Sequence, residues 1–392
     1  MERLPYGRHH LDELDIQAVV DCLRSGVLTQ GPKIAEFEQA IAQKVGARFA
    51  VAVASGTAAL HLAAIVADLE PNSSLITSPI TFVASANAAL YVGAKPAFAD
   101  IDPKTINLSP TALAKVMSRN FNVGAVIPVH YAGLPCDMVE IKALADKAGA
   151  VVIEDAAHAL GARYPDGSAV GCCAHSLMTI FSFHPVKCIT TGEGGMITTN
   201  DESIYRKLLR LRSHGINKDE DNYIYSEETH TDGIANPWYY EMLGLGFHYR
   251  ITDVQCSLGL SQLTKLERFI ERRRYLVRRY DEAFAHSKII QPAQQSGREL
   301  SAHHLYPIRI DFSAAGISRA ALMKELRLNG IITQVHYIPV TAQPYYRKLG
   351  FNVGDYPNAQ AYYRETLSIP LFYDLTEQQQ DKVIVTLQEL IL

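Results

Sequence analysis

From about residue 10 to residue 200, stretches with apolar residues at helical spacing alternate with short apolar runs bounded by Gly, Pro, Asp or Ser. That alternation is the pattern of an α/β domain. Helical spacing runs over 12–24, 33–45, 57–69 and 137–148. Gly26 closes the first of these and Gly149 the last, because glycine accepts the left-handed backbone that ends many helices. The apolar runs 49–54, 75–78, 96–100, 124–129, 150–154, 177–183 and 195–199 predict seven strands, a natural number for one mixed, mostly parallel sheet.

The pattern then changes. Residues 214–247 are rich in Asp, Glu, Asn, Gly and Tyr without a clean period, which predicts a long exposed excursion. From 252 to 284 the spacing predicts one long helix, whose Arg and Lys run reads as a solvated face. From about 300 the order is strand (HLYPIRI), helix (SRAALMKELRLNG), strand (IITQVHY) and a final amphipathic helix over 376–391. We therefore expect a large α/β domain over 1–250 and a smaller C-terminal α+β domain over 251–392, entered through the long helix.

Composition narrows the function classes. The 392 residues are 48% hydrophobic and carry a net charge of −4, so a large core is available and no basic excess exists to release counterions from a nucleic acid. No stretch approaches the roughly 20 apolar residues that span a bilayer. The start, MERLPYGRHHLDELD, has charges and a proline where a signal peptide has its apolar core. Six cysteines without C-x-x-C spacing predict reduced thiols in a cytoplasmic protein and no metal site. A small-molecule enzyme fits these bounds best.

Four segments carry candidate chemistry. In TIFSFHPVKCITTGEGGMITT, residues 179–199, a β-run leads into a polar turn holding one lysine, Lys187. Partial desolvation lowers a lysine's pKa and frees its amine to condense with an aldehyde, although a lysine on a turn is more often a solvated surface residue. AVVIEDAAHALG puts Asp155 after a buried strand, at the edge where open α/β sheets bind ligands. A carboxylate there can face a ring cation, and it can equally cap a following helix. VAVASGTAALHLAAIVADL supplies a strand, the turn Ser55-Gly56-Thr57 and an Ala-rich helix whose N-terminus suits a phosphate, with the Ser182 hydroxyl as a further donor. Phe82 is a candidate to stack on a ring or a core aromatic. Lysine, carboxylate, phosphate turn and aromatic together are what a pyridoxal 5'-phosphate site requires.

Taken in order, SGTAAL (55–60), TFVASAN (81–87), EDAAHALG (154–161) and FSFHPVK-x-ITTGEGG (181–195) resemble the DegT-like, fold-type-I sugar aminotransferases. LTQGP at 28–32, LRSHG at 211–215 and GFHYR at 246–250 extend the resemblance over essentially the whole chain. It implies that Lys187 carries pyridoxal phosphate as a Schiff base and shuttles the proton, and that Asp155 pairs with the pyridine nitrogen. Phe82 and Ala157 would cover the two ring faces, with His158 at the polar edge. Gly56, Thr57 and Ser182 would hold the phosphate. The family closes that site with an Asn from the neighbouring subunit of a homodimer; here His248 stands in its place. Cys188 stands where many relatives have proline.

Tyr6, LTQG, HHLYPI (303–308) and ITQVHYIPV (332–340) are most similar to family members acting in pseudaminic acid biosynthesis. Those take an amino group from L-glutamate to a UDP-linked 4-keto sugar. The resemblance thus implies substrate contacts at Tyr6, Val27, Leu28, Thr29, Arg250, His336 and Tyr337. Two nearby readings stay open, an aminotransferase making another 4- or 3-amino sugar on UDP, dTDP or GDP, and a non-catalytic regulator on the same scaffold. Family dehydratases carry histidine at the lysine position, so Lys187 speaks against that chemistry.

Overall fold

The computed structural model of the chain describes residues 3–119, 122–219, 223–225 and 227–391. Seven strands form one sheet: β1 (Phe49–Val53), β2 (Ser74–Thr77), β3 (Lys95–Phe98), β4 (Val123–Ile127), β5 (Val151–Asp155), β6 (Met178–Ser182) and β7 (Gly195–Thr199). Their order is β1-β7-β6-β5-β4-β2-β3, and only β7 runs antiparallel to its neighbours. Each lies within a residue or two of its predicted run. β1 shows why the runs were readable: Val51 and Val53 pack with Leu60 and Leu62 on one face, while Ala50 and Ala52 pack with Phe37 and Ile41 on the other. Both faces are covered, so the strand is apolar throughout.

The helices that flank this sheet have local causes. α1 (Glu13–Arg24) starts with a reciprocal cap between Asp12 and Asp15; α2 (Pro32–Val45) has proline in its first turn and Gly46 in left-handed backbone at its end. α3 (Gly56–Val66) follows β1, with Ser55 as its N-cap, and α4 (Val83–Tyr91) starts at Phe82. Because β1, β2, β4, β5 and β6 run in parallel, their C-terminal ends gather at one edge of the sheet.

Three expectations are corrected. The long helix over 252–284 is two helices, Asp253–Leu263 and Leu266–Phe284. No glycine or proline breaks it. Lys265, at the junction, is drawn inward to Asp12 and to Asp15, the latter at 2.8 Å, and two ion pairs at a buried site outweigh the continuation of a helix. Helix Asp253–Leu263 packs on α1 and α2, against the large sheet. In the basic run Arg273 is buried, not solvated; it donates to the His304 and Leu371 carbonyls at 3.2 and 3.1 Å. The segment IITQVHY is not a regular strand either. It makes single bridges, Ile331 to Leu4 and Gln334 to Ser368, and then turns toward the sheet edge.

A second sheet of Ile290–Pro292, Tyr306–Ile310 and Thr366–Ile369 is antiparallel and packs with helices Arg319–Leu328 and Glu377–Ile391. Among the described residues the excursion carries only two-residue strands and several exposed apolar side chains, among them Ile224, Tyr225, Ile234, Trp238 and Leu245. Among the described residues no helix is long and apolar enough to cross a membrane.

Candidate active site

A cavity of about 520 Å³ opens at the C-terminal edge of the parallel strands, and it brings together residues separated by up to 331 positions, from Tyr6 to Tyr337. β5 ends in Asp155, a residue 6% exposed whose carboxylate is already held on both oxygens. Ser85 of α4 donates to Oδ2 at 2.6 Å and the Ala157 N–H donates to Oδ1 at 3.1 Å. Turns, not a helix, follow Asp155, so its cap-like bond to Ala157 fixes a loop, and one edge of the carboxylate stays turned to the cavity. Beneath it, Glu154 points the other way into a buried cluster with His130 at 2.7 Å and Ser176 at 2.6 Å. Burial pushes Glu154 up, but the hydrogen bond and charge of His130 and the Ser176 and Tyr164 hydroxyls hold it net below the usual carboxylate range.

Lys187 reaches the same cavity from the loop after β6, where its N–H is tied to the His184 carbonyl at 2.8 Å. Burial lowers its pKa to about 8, with the Asp155 carboxylate holding part of the charge back. Among the described residues it makes no ion pair, so the amine is free for chemistry.

The phosphate turn is built by close approach. A Cβ on Gly56 would lie 3.0 Å from the Ser182 Cβ, and one on Gly195 would lie 2.4 Å from the Ser55 carbonyl oxygen. Only glycine lets β1, β6 and β7 converge there. The Ser55 hydroxyl accepts from the Ala58 N–H at 3.1 Å and the Ser55 carbonyl takes the Ala59 N–H at 3.0 Å. The N–H groups of Gly56 and Thr57 are left without helical partners, at the mouth of the cavity, where an anion is favoured.

Phe82 is 59% exposed and lines the cavity, so it is not a core aromatic. His158 is buried and pushed well below its usual pKa by burial, the Lys187 charge and His336. Tyr337 meets it, Oη to Nε2, at 3.2 Å, and His336 anchors to Ser368 Oγ at 2.9 Å while Tyr6 sits edge-on to it. Sequence reasoning missed Ser85, Glu193 and His304 of this site. Ser85 lies within TFVASAN, but only the fold shows that it points at Asp155.

Val27, Leu28, Thr29, His248 and Arg250 do not line this cavity in a single chain. Val27, Leu28, Thr29 and His248 are exposed; Leu28 accepts from the Asp253 N–H, and Arg250 donates to Ser213 Oγ at 3.1 Å.

Residues 9–388 match the model of the DegT/DnrJ/EryC1/StrS aminotransferases. The chain belongs to that family. It is 39% identical to the spore coat polysaccharide biosynthesis protein SpsC of Bacillus subtilis, over 99% of this chain and 97% of that one. Helicobacter pylori PseC, an aminotransferase involved in the biosynthesis of pseudoaminic acid, superposes with a TM-score of 0.88 at 29% identity, covering 100% of this chain and 99% of that one. The PLP form of Spr1654 from Streptococcus pneumoniae gives 0.87 at 29% identity, over 99% of this chain and 98% of that one. This family member is thus a fold-type-I, pyridoxal-phosphate-dependent sugar aminotransferase, which takes an amino donor and a sugar substrate. The cavity fits the cofactor: an unpaired amine, a buried carboxylate, two free helical N–H groups and an exposed aromatic surround one space.

Proposed function

We propose that the protein moves the amino group of L-glutamate to the 4-keto group of a UDP-linked 4-keto-6-deoxy-N-acetylhexosamine, giving UDP-4-amino-4,6-dideoxy-N-acetyl-β-L-altrosamine. The observation that carries the reading is the meeting of Lys187, Asp155, Phe82 and the Gly56–Thr57 turn around one cavity. Its likeness to PseC supports the sugar.

Bound there, pyridoxal phosphate supplies an electron sink that stabilises the charge left when a carbon bearing nitrogen loses its proton. Lys187 would anchor the cofactor, and its amine would carry the proton to and from the reacting carbon. Asp155 keeps the pyridine nitrogen protonated. Phe82 and Ala157 bracket the ring, and Gly56, Thr57 and Ser182 hold the phosphate. His248 from a second copy completes the phosphate site of a homodimer, and Arg250 reaches a substrate anion across the same boundary. Tyr6, His336, Tyr337 and the 27–29 turn contact the sugar nucleotide. The free cysteines support a cytoplasmic setting.

A second reading, a different 4- or 3-amino sugar on UDP, dTDP or GDP, is favoured by the higher identity to SpsC than to PseC. An absorbance scan tests both. A visible band should form with pyridoxal phosphate, vanish on glutamate and return with the UDP-4-keto sugar. Return with only a dTDP or GDP sugar decides for the second reading; no band with Lys187 intact defeats both.

A further inference from the structure

The hydrogens of the His158–Tyr337 pair can be assigned by elimination. The Ala132 backbone N–H points at His158 Nδ1 from 3.2 Å, and a backbone N–H only donates. Nδ1 must therefore be the acceptor, which excludes both the imidazolium and the tautomer with hydrogen on Nδ1. The ring proton sits on Nε2, where the one partner among the described residues is Tyr337 Oη at 3.2 Å. His158 donates, Tyr337 accepts, and the tyrosine's own proton has to go elsewhere. Among the described residues no other side chain or carbonyl takes it, and Tyr337 lines the cavity with its ring 6.5 Å from that of Phe82.

The ring is also held in place from behind. The His336 carbonyl, immediately before Tyr337, accepts from Tyr131 Oη at 2.7 Å and Tyr362 Oη at 3.1 Å, and the two hydroxyls meet at 2.7 Å. These buried contacts fix the backbone that carries Tyr337.

We propose that Tyr337 donates its hydroxyl proton in a hydrogen bond to an electron-rich oxygen bound in the cavity, with His158 as the positioning residue that sets this direction. The acceptor is the phenolic oxygen of the cofactor or the keto oxygen of the sugar, two sources of one chemistry. The inference rests on the pyridoxal phosphate reading above.

The test uses the full-length protein loaded with pyridoxal phosphate. A donor to the phenolic oxygen withdraws charge that would otherwise hold the proton on the lysine-linked nitrogen. Tyr337→Phe then raises the pH midpoint of the visible band by about one unit before any substrate is added. If the acceptor is the keto oxygen, the midpoint stays and KM for the keto sugar rises about tenfold, with the glutamate half-reaction unchanged. His158→Phe frees the hydroxyl to turn and should shift the same quantity in the same direction, whereas His158→Gln, which keeps an N–H donor, should recover part of it. Both effects absent in a folded Tyr337→Phe overturn the proposal, and a shift there without one in His158→Phe overturns the positioning role. Should Tyr337→Phe not fold, His158→Phe alone decides. A wild-type protein without the band sinks the cofactor reading instead, so the two failures are distinct.

Discussion

A lysine amine attacks an aldehyde only when it has shed its proton, and burial of Lys187 brings that point down to about 8. The rate at which apoprotein takes up pyridoxal phosphate should therefore climb with pH and level off above about pH 8, as followed by growth of the visible band. Lys187→Ala should abolish the band and lower turnover by at least about 10²- to 10⁴-fold, the usual worth of a positioned proton-transfer group. Stability has its own sign: the folded state disfavours the ammonium, so the cost of Lys187 is present below about pH 8 and is relieved as pH rises toward the ordinary lysine value. Neither Lys187 nor Asp155 stood out alone; they were singled out because a phosphate turn and an aromatic accompany them in the sequence, and the fold brings all four to one cavity. Ser85 was not, since nothing in a hydroxyl's local sequence says that it will face a carboxylate 70 positions away.

Among the elements, β7 has the tightest fit, because its first residue lies against the turn that opens α3. Gly195→Ala places a Cβ 2.4 Å from the Ser55 carbonyl oxygen and 2.8 Å from the Gly56 nitrogen, and backbone on both sides has to yield. We expect a loss of about 1–3 kcal/mol in denaturant unfolding and weaker retention of pyridoxal phosphate on dialysis, because the displaced turn is the phosphate's. The seven strands could be read from the chain since most are short buried apolar runs bounded by turn residues. The break at Lys265 could not, because its cause is two carboxylates some 250 positions upstream, at Asp12 and Asp15. Residues 331–337 misled for a related reason. Their β-like alternation serves two isolated bridges, and His336 and Tyr337 then leave the line to face the cavity.

Across the molecule, four buried imidazoles set the response to acid. His158, His303, His304 and His336 are all held below their usual pKa, chiefly by burial, with His303 and His336 at about 3. The unfolded chain protonates them near pH 6.5 while the fold resists, so stability is intact above that value and falls as pH drops toward 3. Urea midpoints taken between pH 7 and pH 5 should show this decline, and replacing His303 by Phe should flatten it. The proposed sharing of the site between two copies also predicts complementation. Mixing Lys187→Ala with His248→Ala protein should give mixed dimers in which one of the two sites keeps both native residues, and activity should exceed that of either variant alone. An active species that sediments as a monomer would refute the shared site.

The excursion gives the protein an optical reporter. The chain has a single tryptophan, and Trp238 stands 70% exposed on that segment, beside the exposed Tyr240 and Met242. All indole fluorescence therefore originates at one place, far from Lys187 in sequence and free of interference from the core. Dilute protein should emit at the long wavelength of a hydrated indole. If the proposed homodimer covers this segment, raising the concentration should move emission to shorter wavelength as a second copy strips water from the ring, and a titration would read the dissociation constant without a label; no shift would place the interface elsewhere.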